Sequence, residues 1–196
     1  MNAPLLGTLV LLLFSGPLAS GQGSDDCTSA QPINGPGTYA VDNSPAMIDK
    51  LQHRLATEPG QRDHIQCRCE DISATEISNA SVIVLNFSLQ FIPLAQRHQL
   101  LEKIFQGLNP GGILIISEKI LFPDDSLNRL FSDLYHNFKE SRGYSQLEIS
   151  QKRDALENIL IPETLNTHRS RLATIGFRSF DVWFQCFNFA SMVAFR

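Results

Sequence analysis

Residues 81–87, Ser-Val-Ile-Val-Leu-Asn-Phe, and residues 113–117, Ile-Leu-Ile-Ile-Ser, are almost unbroken apolar runs, too short for typical globular helices. Runs of this kind are strands covered on both faces, because a sheet with one wet face alternates apolar and polar side chains. Between them, residues 94–107 carry apolar side chains at helical spacing and stop at Asn109-Pro110-Gly111-Gly112. Strand, helix, strand in this order predicts an α/β fold with helices on both faces of a mainly parallel sheet.

The same reading extends outward. Upstream, residues 38–41 form a short β-prone run closed by Asp42, with Ser44 as helix cap and Pro45 at the first helical position, so a helix is expected to about Ala56. Residues 65–69 alternate as a further strand that ends at Glu70-Asp71-Ile72. Downstream, helices are expected over 125–140, 145–159 and 164–175, the last stopped by Gly176. Residues 179–187 and 191–195 read as strands joined by Asn188-Phe189-Ala190, an antiparallel hairpin on the sheet edge.

With 196 residues, 43% of them hydrophobic, the chain suits one domain. A net charge of -4 and the lack of a Lys/Arg cluster argue against direct nucleic-acid binding, which rests on many cation–phosphate contacts. A small-molecule substrate is expected instead. Cys27, Cys67, Cys69 and Cys186 form no Cys-x-x-Cys pair, and the five histidines (53, 64, 98, 136, 168) show no ligand spacing, so reduced thiols and no metal site are expected.

Residues 5–14, LLGTLVLLLF, superficially resemble a secretory leader. No Lys or Arg precedes them, the cleavage signal is poor, and ten residues are too few to cross a bilayer. A cytoplasmic protein without a membrane segment is expected, with secretion as the alternative. Residues 15–37 have the Gly, Ser, Pro and Asp content of a linker. The folded domain is therefore placed at 38–196, and residues 1–37 outside it.

In an open α/β sheet, ligands bind beyond the carboxyl ends of the strands. Asp42, Asp71 and Asn86 close three expected strands. A carboxylate at the first suits two ribose hydroxyls, one at the second suits an exocyclic amine, and an amide in an apolar run needs partners. The competing accounts are a helix-dipole acid for Asp42 and a turn residue for Asp71. Arg153 reads on its own as a solvated helix residue.

The order of elements resembles the class I S-adenosylmethionine-dependent methyltransferase fold, a Rossmann-like sheet with a C-terminal antiparallel hairpin. The blocks AVDNSPAMI (40–48), VLNFSLQF (84–91), GLNPGG (107–112), SEK (117–119), GYSQLEISQKR (143–153) and WFQCFNF (183–189) are similar to the carboxy-S-adenosyl-L-methionine synthase family over about four-fifths of the chain. The resemblance implies an enzyme that turns S-adenosyl-L-methionine and prephenate into carboxy-S-adenosyl-L-methionine and phenylpyruvate. The product supplies carboxymethyl groups for the wobble uridine of tRNA. It further implies that Asp42 and Asn43 hold the ribose, Asp71 and Ile72 the adenine, Asn86 the methionine portion, and Arg153 the new carboxylate, in a homodimer.

Members of that family also carry a first strand with a D-L-G-C-S-L-G-A-A type loop, which is not legible here. Read two bases late, codons for residues 8–14 can spell Leu-Gly-Ala-Ala-Thr-Leu, which resembles the end of that loop. The sheet is accordingly expected to lack its usual first strand. Two further readings stay open: an inactive truncated relative, and an ordinary small-molecule methyltransferase.

Overall fold

The apolar runs become neighbouring parallel strands in the computed structural model, which describes residues 11–15, 37–57, 65–157 and 159–196, the side chains of 11–15 and 152–157 excepted. Of the linker expected over 15–37, residues 16–36, with Cys27, lie outside the described residues, as do His64 and the Arg153 side chain. The elements run β1 (Leu11–Ser15), β2 (Thr38–Asp42), α1 (Pro45–Thr57), β3 (Ile65–Cys69), β4 (Ala80–Asn86), α2 (Leu94–Gly107), β5 (Leu108–Leu121), α3 (Asp125–Ser141), α4 (Gln146–Glu157), β6 (Glu163–Thr164), α5 (Leu165–Ile175), β7 (Ser179–Cys186) and β8 (Phe189–Phe195). A single 3₁₀ turn, Leu89–Phe91, follows β4.

The strands form one sheet in the order β3-β2-β1-β4-β5-β8-β7, with β6 added alongside the end of β5. Strands β2 and β3 are parallel, as are β4 and β5, whereas β8 and β7 form the expected antiparallel edge hairpin. The hairpin turn is Phe187-Asn188 rather than residues 188–190, since Cys186 already pairs with Phe189. Phe187 takes a positive φ of 52°, an uncommon conformation for a bulky side chain, and its ring packs 5.5 Å from Phe138 and 5.9 Å from Tyr135 of α3.

One expectation needs correction. Residues 11–15, placed outside the folded unit because of their leader-like composition, form the central strand β1. It runs antiparallel to both neighbours, Leu12 lying between Ala40 and Val84, and Leu13 between Tyr39 and Ile83. Four apolar residues and a serine also suit a central strand, and composition alone does not separate such a run from a leader. The slot between β2 and β4 is thus filled, and their inward-facing backbone groups find partners, although not from a strand of the usual direction.

The core lies between the sheet and helices α2 and α5. Val41, Ile83, Leu85, Leu114, Ile116 and Met192 project from the strands against Leu101, Ile104 and Leu172. Gly107 permits the close approach at the end of α2, where a Cβ would run into the side chain and main-chain carbonyl of Ile77. Gly176, with φ of 115°, caps α5 in the left-handed region as its position predicts.

Candidate functional site

Strand direction and register place the candidate residues. Because β1 opposes both β2 and β4, the latter two are parallel to each other, and the carboxyl ends of β3, β2, β4 and β5 meet one rim. The pairings of Leu12 with Ala40 and with Val84 set Asp42 level with Asn86, two strand spacings or about 10 Å away. Asp42 also pairs with Cys69, so Asp71 stands just beyond it on the same rim. The rim therefore carries Asp71, Asp42 and Asn86 in spatial order.

Each has a local structural duty as well. Asp42 is 4% exposed, its Oδ1 accepts the N–H of Ser44 at 2.7 Å, and its carbonyl accepts the N–H of Glu70 at 3.2 Å. This is an Asx turn that starts α1, and it leaves Asn43 exposed beside it. Asp71 is exposed, its Oδ1 accepting from the Ser73 N–H at 2.7 Å and its carbonyl from the N–H groups of Ala74 and Thr75. The Ile72 side chain is in the core, so only its main chain remains for a ligand. Asn86, expected to be buried, is half-buried, because β4 ends there and the chain turns away at Phe87, whose φ is 56°. Arg153 falls on α4, one turn after Ile149.

Beside Asn86, beyond the ends of β4 and β5, opens a cleft of about 930 Å³. Phe87, Gln90, Phe91 and Lys119 form one wall, Arg129, Asp133, Tyr135, His136 and Lys139 of α3 another, and Phe187, Asn188 and Phe189 of the hairpin a third, with Ile149 of α4 also reaching it. Phe87 and Phe189 meet edge to face at 5.8 Å, and Phe189 and Tyr135 at 4.9 Å, which gives the cleft an aromatic floor. Cationic side chains over an aromatic floor suit an organic acid that carries a ring.

Under this cleft lies a buried polar cluster that sequence reading did not find. Glu118, 1% exposed, accepts the N–H groups of Ser88 at 3.1 Å and Leu89 at 2.7 Å on Oε1, and of Gln90 at 3.2 Å on Oε2. Burial pushes its carboxyl up to about 8, with the three N–H donors and the charge of Arg97 pulling the other way. Arg97, also 1% exposed, donates to the carbonyls of Ile92, Gln90 and Ile161 and pairs with Glu163 at 2.6 Å. Glu163 is held at about 2: burial opposes ionisation, but hydrogen bonds and charge from Arg171 and Arg97 outweigh it. Among the described residues no group of acids, histidines and cysteines could hold a metal ion, and no helix is long and apolar enough to cross a membrane.

Comparison with known proteins gives the family and the fold. Residues 18–114 match the model of a methyltransferase domain. Carboxy-S-adenosyl-L-methionine synthase of Pasteurella multocida is 44% identical over 181 residues, 91% of this chain and 75% of that protein. The chain belongs to the carboxy-S-adenosyl-L-methionine synthase family. The synthase of Trichlorobacter lovleyi is 54% identical over 157 residues, 80% of this chain, and the chain spans 64% of its length. Among solved structures, human N-acetylserotonin methyltransferase in complex with SAM superposes with a TM-score of 0.54 at 18% identity, covering 81% of this chain and 40% of that one. An O-methyltransferase family 2 protein of Planctomyces limnophilus in complex with apigenin gives 0.56 at 21%, covering 80% and 42%. These likenesses establish the class I methyltransferase fold, within which this synthase-family chain has a reversed central strand.

Proposed function

We propose that the chain carries out the synthase reaction of its family, converting S-adenosyl-L-methionine and prephenate into carboxy-S-adenosyl-L-methionine and phenylpyruvate. The carrying observation is the single rim on which Asp71, Asp42 and Asn86 stand, next to a cleft with cationic walls and an aromatic floor. Asp42 and Asn43 take the ribose, Asp71 and the Ile72 main chain the adenine, and Asn86 the methionine end. Arg153 takes the new carboxylate, for which a permanently charged planar fork is suited.

The chemistry closes without a further reagent. Prephenate becomes aromatic by losing its ring carboxyl as carbon dioxide and its ring hydroxyl as hydroxide. Hydroxide takes a proton from the sulfonium methyl, giving water and an ylide, and the ylide carbon attacks the carbon dioxide. Lys119 and Arg129 in the cleft offset the two carboxylates of prephenate. The product then supplies carboxymethyl groups for tRNA wobble uridine, in the cytoplasm, from a homodimer that does not itself touch nucleic acid.

A second reading, a relative that binds ligands without turnover, is favoured by the reversed β1: its amino end, not a loop after its carboxyl end, meets the rim between Asp42 and Asn86. Incubation with both substrates and mass analysis of the nucleosides separates these readings. A carboxylated nucleoside with phenylpyruvate is expected. Demethylated cofactor alone marks a methyltransferase, and unchanged cofactor with measurable binding marks the inactive relative.

A further inference from the structure

The 3₁₀ turn Leu89–Phe91 has buried N–H groups at its amino end, which need acceptors as any helix start does. The local candidate, Ser88, makes no capping bond; its hydroxyl instead reaches the Asn86 carbonyl at 3.3 Å. Glu118, 28 to 30 residues away in sequence, serves three consecutive N–H groups in its place. Gln90 adds a second tie to β5, its Oε1 accepting the N–H of Lys119 at 3.2 Å. On the other side of the turn, Phe87 is kept in its left-handed conformation by an N–H bond to the Ser117 carbonyl at 2.7 Å. Strain of this kind persists only where surrounding contacts over-determine it.

Taking the cleft as the seat of the second substrate, as proposed above, we infer that Glu118 is a positioning residue for that substrate: it fixes the turn that presents Gln90 and Phe91 to the cleft, without touching the ligand. All three N–H groups it accepts belong to the turn, whereas β5 keeps its ladders to β4 and β8 through main-chain bonds. Asn86 lies within the ladder, opposite Ser117, and so stays in register when the turn moves. The nucleoside and the acid are therefore separable by a change at Glu118.

The test is Glu118→Gln, which keeps one carbonyl oxygen for Ser88 and Leu89 and sets an N–H₂ against the N–H of Gln90. Calorimetric titrations with S-adenosylhomocysteine and with prephenate, and a melting curve, are compared with the unmodified chain. The expected result is prephenate affinity weakened by about 10-fold or more with nucleoside affinity within about twofold. Equal loss of both ligands, or no loss of prephenate, overturns the inference. If the unmodified chain binds the nucleoside but not prephenate, the cleft assignment itself fails and takes the inference with it. Should Glu118→Gln not fold, Gln90→Ala removes the side-chain tie to Lys119 and is expected to weaken prephenate selectively; unchanged affinity there is equally contrary.

Discussion

Replacing Arg97 by alanine removes the side chain that joins α2, the turn after β4 and the start of β6. Its guanidinium donates to Ile92 at 2.8 Å, to Gln90 at 3.1 Å and to Ile161 at 2.7 Å, and pairs with Glu163. Removing one member of a buried pair costs about 3–5 kcal/mol, chiefly because its partners stay desolvated. Arg171, which still grips Glu163 at 2.5 and 2.8 Å, holds the value toward the lower end. At this chain length each kcal/mol lowers Tm by roughly 2–4 °C, so a cost of about 3 kcal/mol gives a fall of about 6–12 °C. Arg171→Ala leaves Arg97 on Glu163 and removes a more exposed side chain, so it should cost only about 1–2 kcal/mol. Urea unfolding of both variants with unchanged m-values reads the difference. A cost for Arg97→Ala below about 1 kcal/mol, or no larger than that for Arg171→Ala, refutes the argument that this network holds the cleft's underside together.

Further outcomes follow from other parts of the molecule. Leu13→Pro removes ladder hydrogen bonds from a central strand and is expected to cost about 3 kcal/mol or more in urea unfolding; an unchanged midpoint would mean β1 is not in the sheet. Gly107→Ala drives a methyl into Ile77 and should cost about 1–3 kcal/mol by the same measurement, with a neutral result contradicting the close packing. Stability should also depend on pH with two opposed slopes. His168 is buried, without a ring-nitrogen partner among the described residues, and burial holds it at about 4 against 6.5, so its contribution is lost as pH falls from 6.5 toward 4. Glu118, raised from 4.5 to about 8, contributes most below 4.5 and loses that contribution as pH rises through 8. The two offset one another between 4.5 and 6.5. From 6.5 to 8 unfolding free energy should therefore decline by at most about 1.4 kcal/mol per pH unit, and Glu118→Gln should flatten that decline. Stability that rises over this interval contradicts the assignment.

Periodicity and punctuation made much of the fold legible. Helix 94–107 and strand 65–69 fall where they were expected, and Pro45 and Gly176 mark a helix start and a helix end. Asp42 and Asn86 could be placed at strand ends because a buried run followed by a polar residue reports where a strand leaves the core, whereas Asp71 stands two residues beyond the end of an alternating strand. Other features depend on contacts far apart in sequence. In Ala95-Gln96-Arg97-His98, Arg97 reads as a solvated helix residue, and only the three carbonyls and Glu163 converging on it explain its burial. Glu118 follows the apolar run 113–117 within β5, and its partners lie 28 to 30 residues earlier, in the turn after the neighbouring strand β4. Residues 11–15 misled because composition does not report strand direction or partners, whereas an empty central slot does.

Titration of the chain with S-adenosyl-L-methionine, alongside Asp42→Asn, tests the central claim most directly. The substitution keeps an amide oxygen for the Ser44 N–H and removes the carboxylate proposed to take the ribose. Saturable heat with the unmodified chain, and affinity weaker by about 10-fold or more in Asp42→Asn with little change in melting temperature, is the predicted result. No heat from the unmodified chain, or equal affinity in both, would contradict the assignment of this rim to the nucleoside.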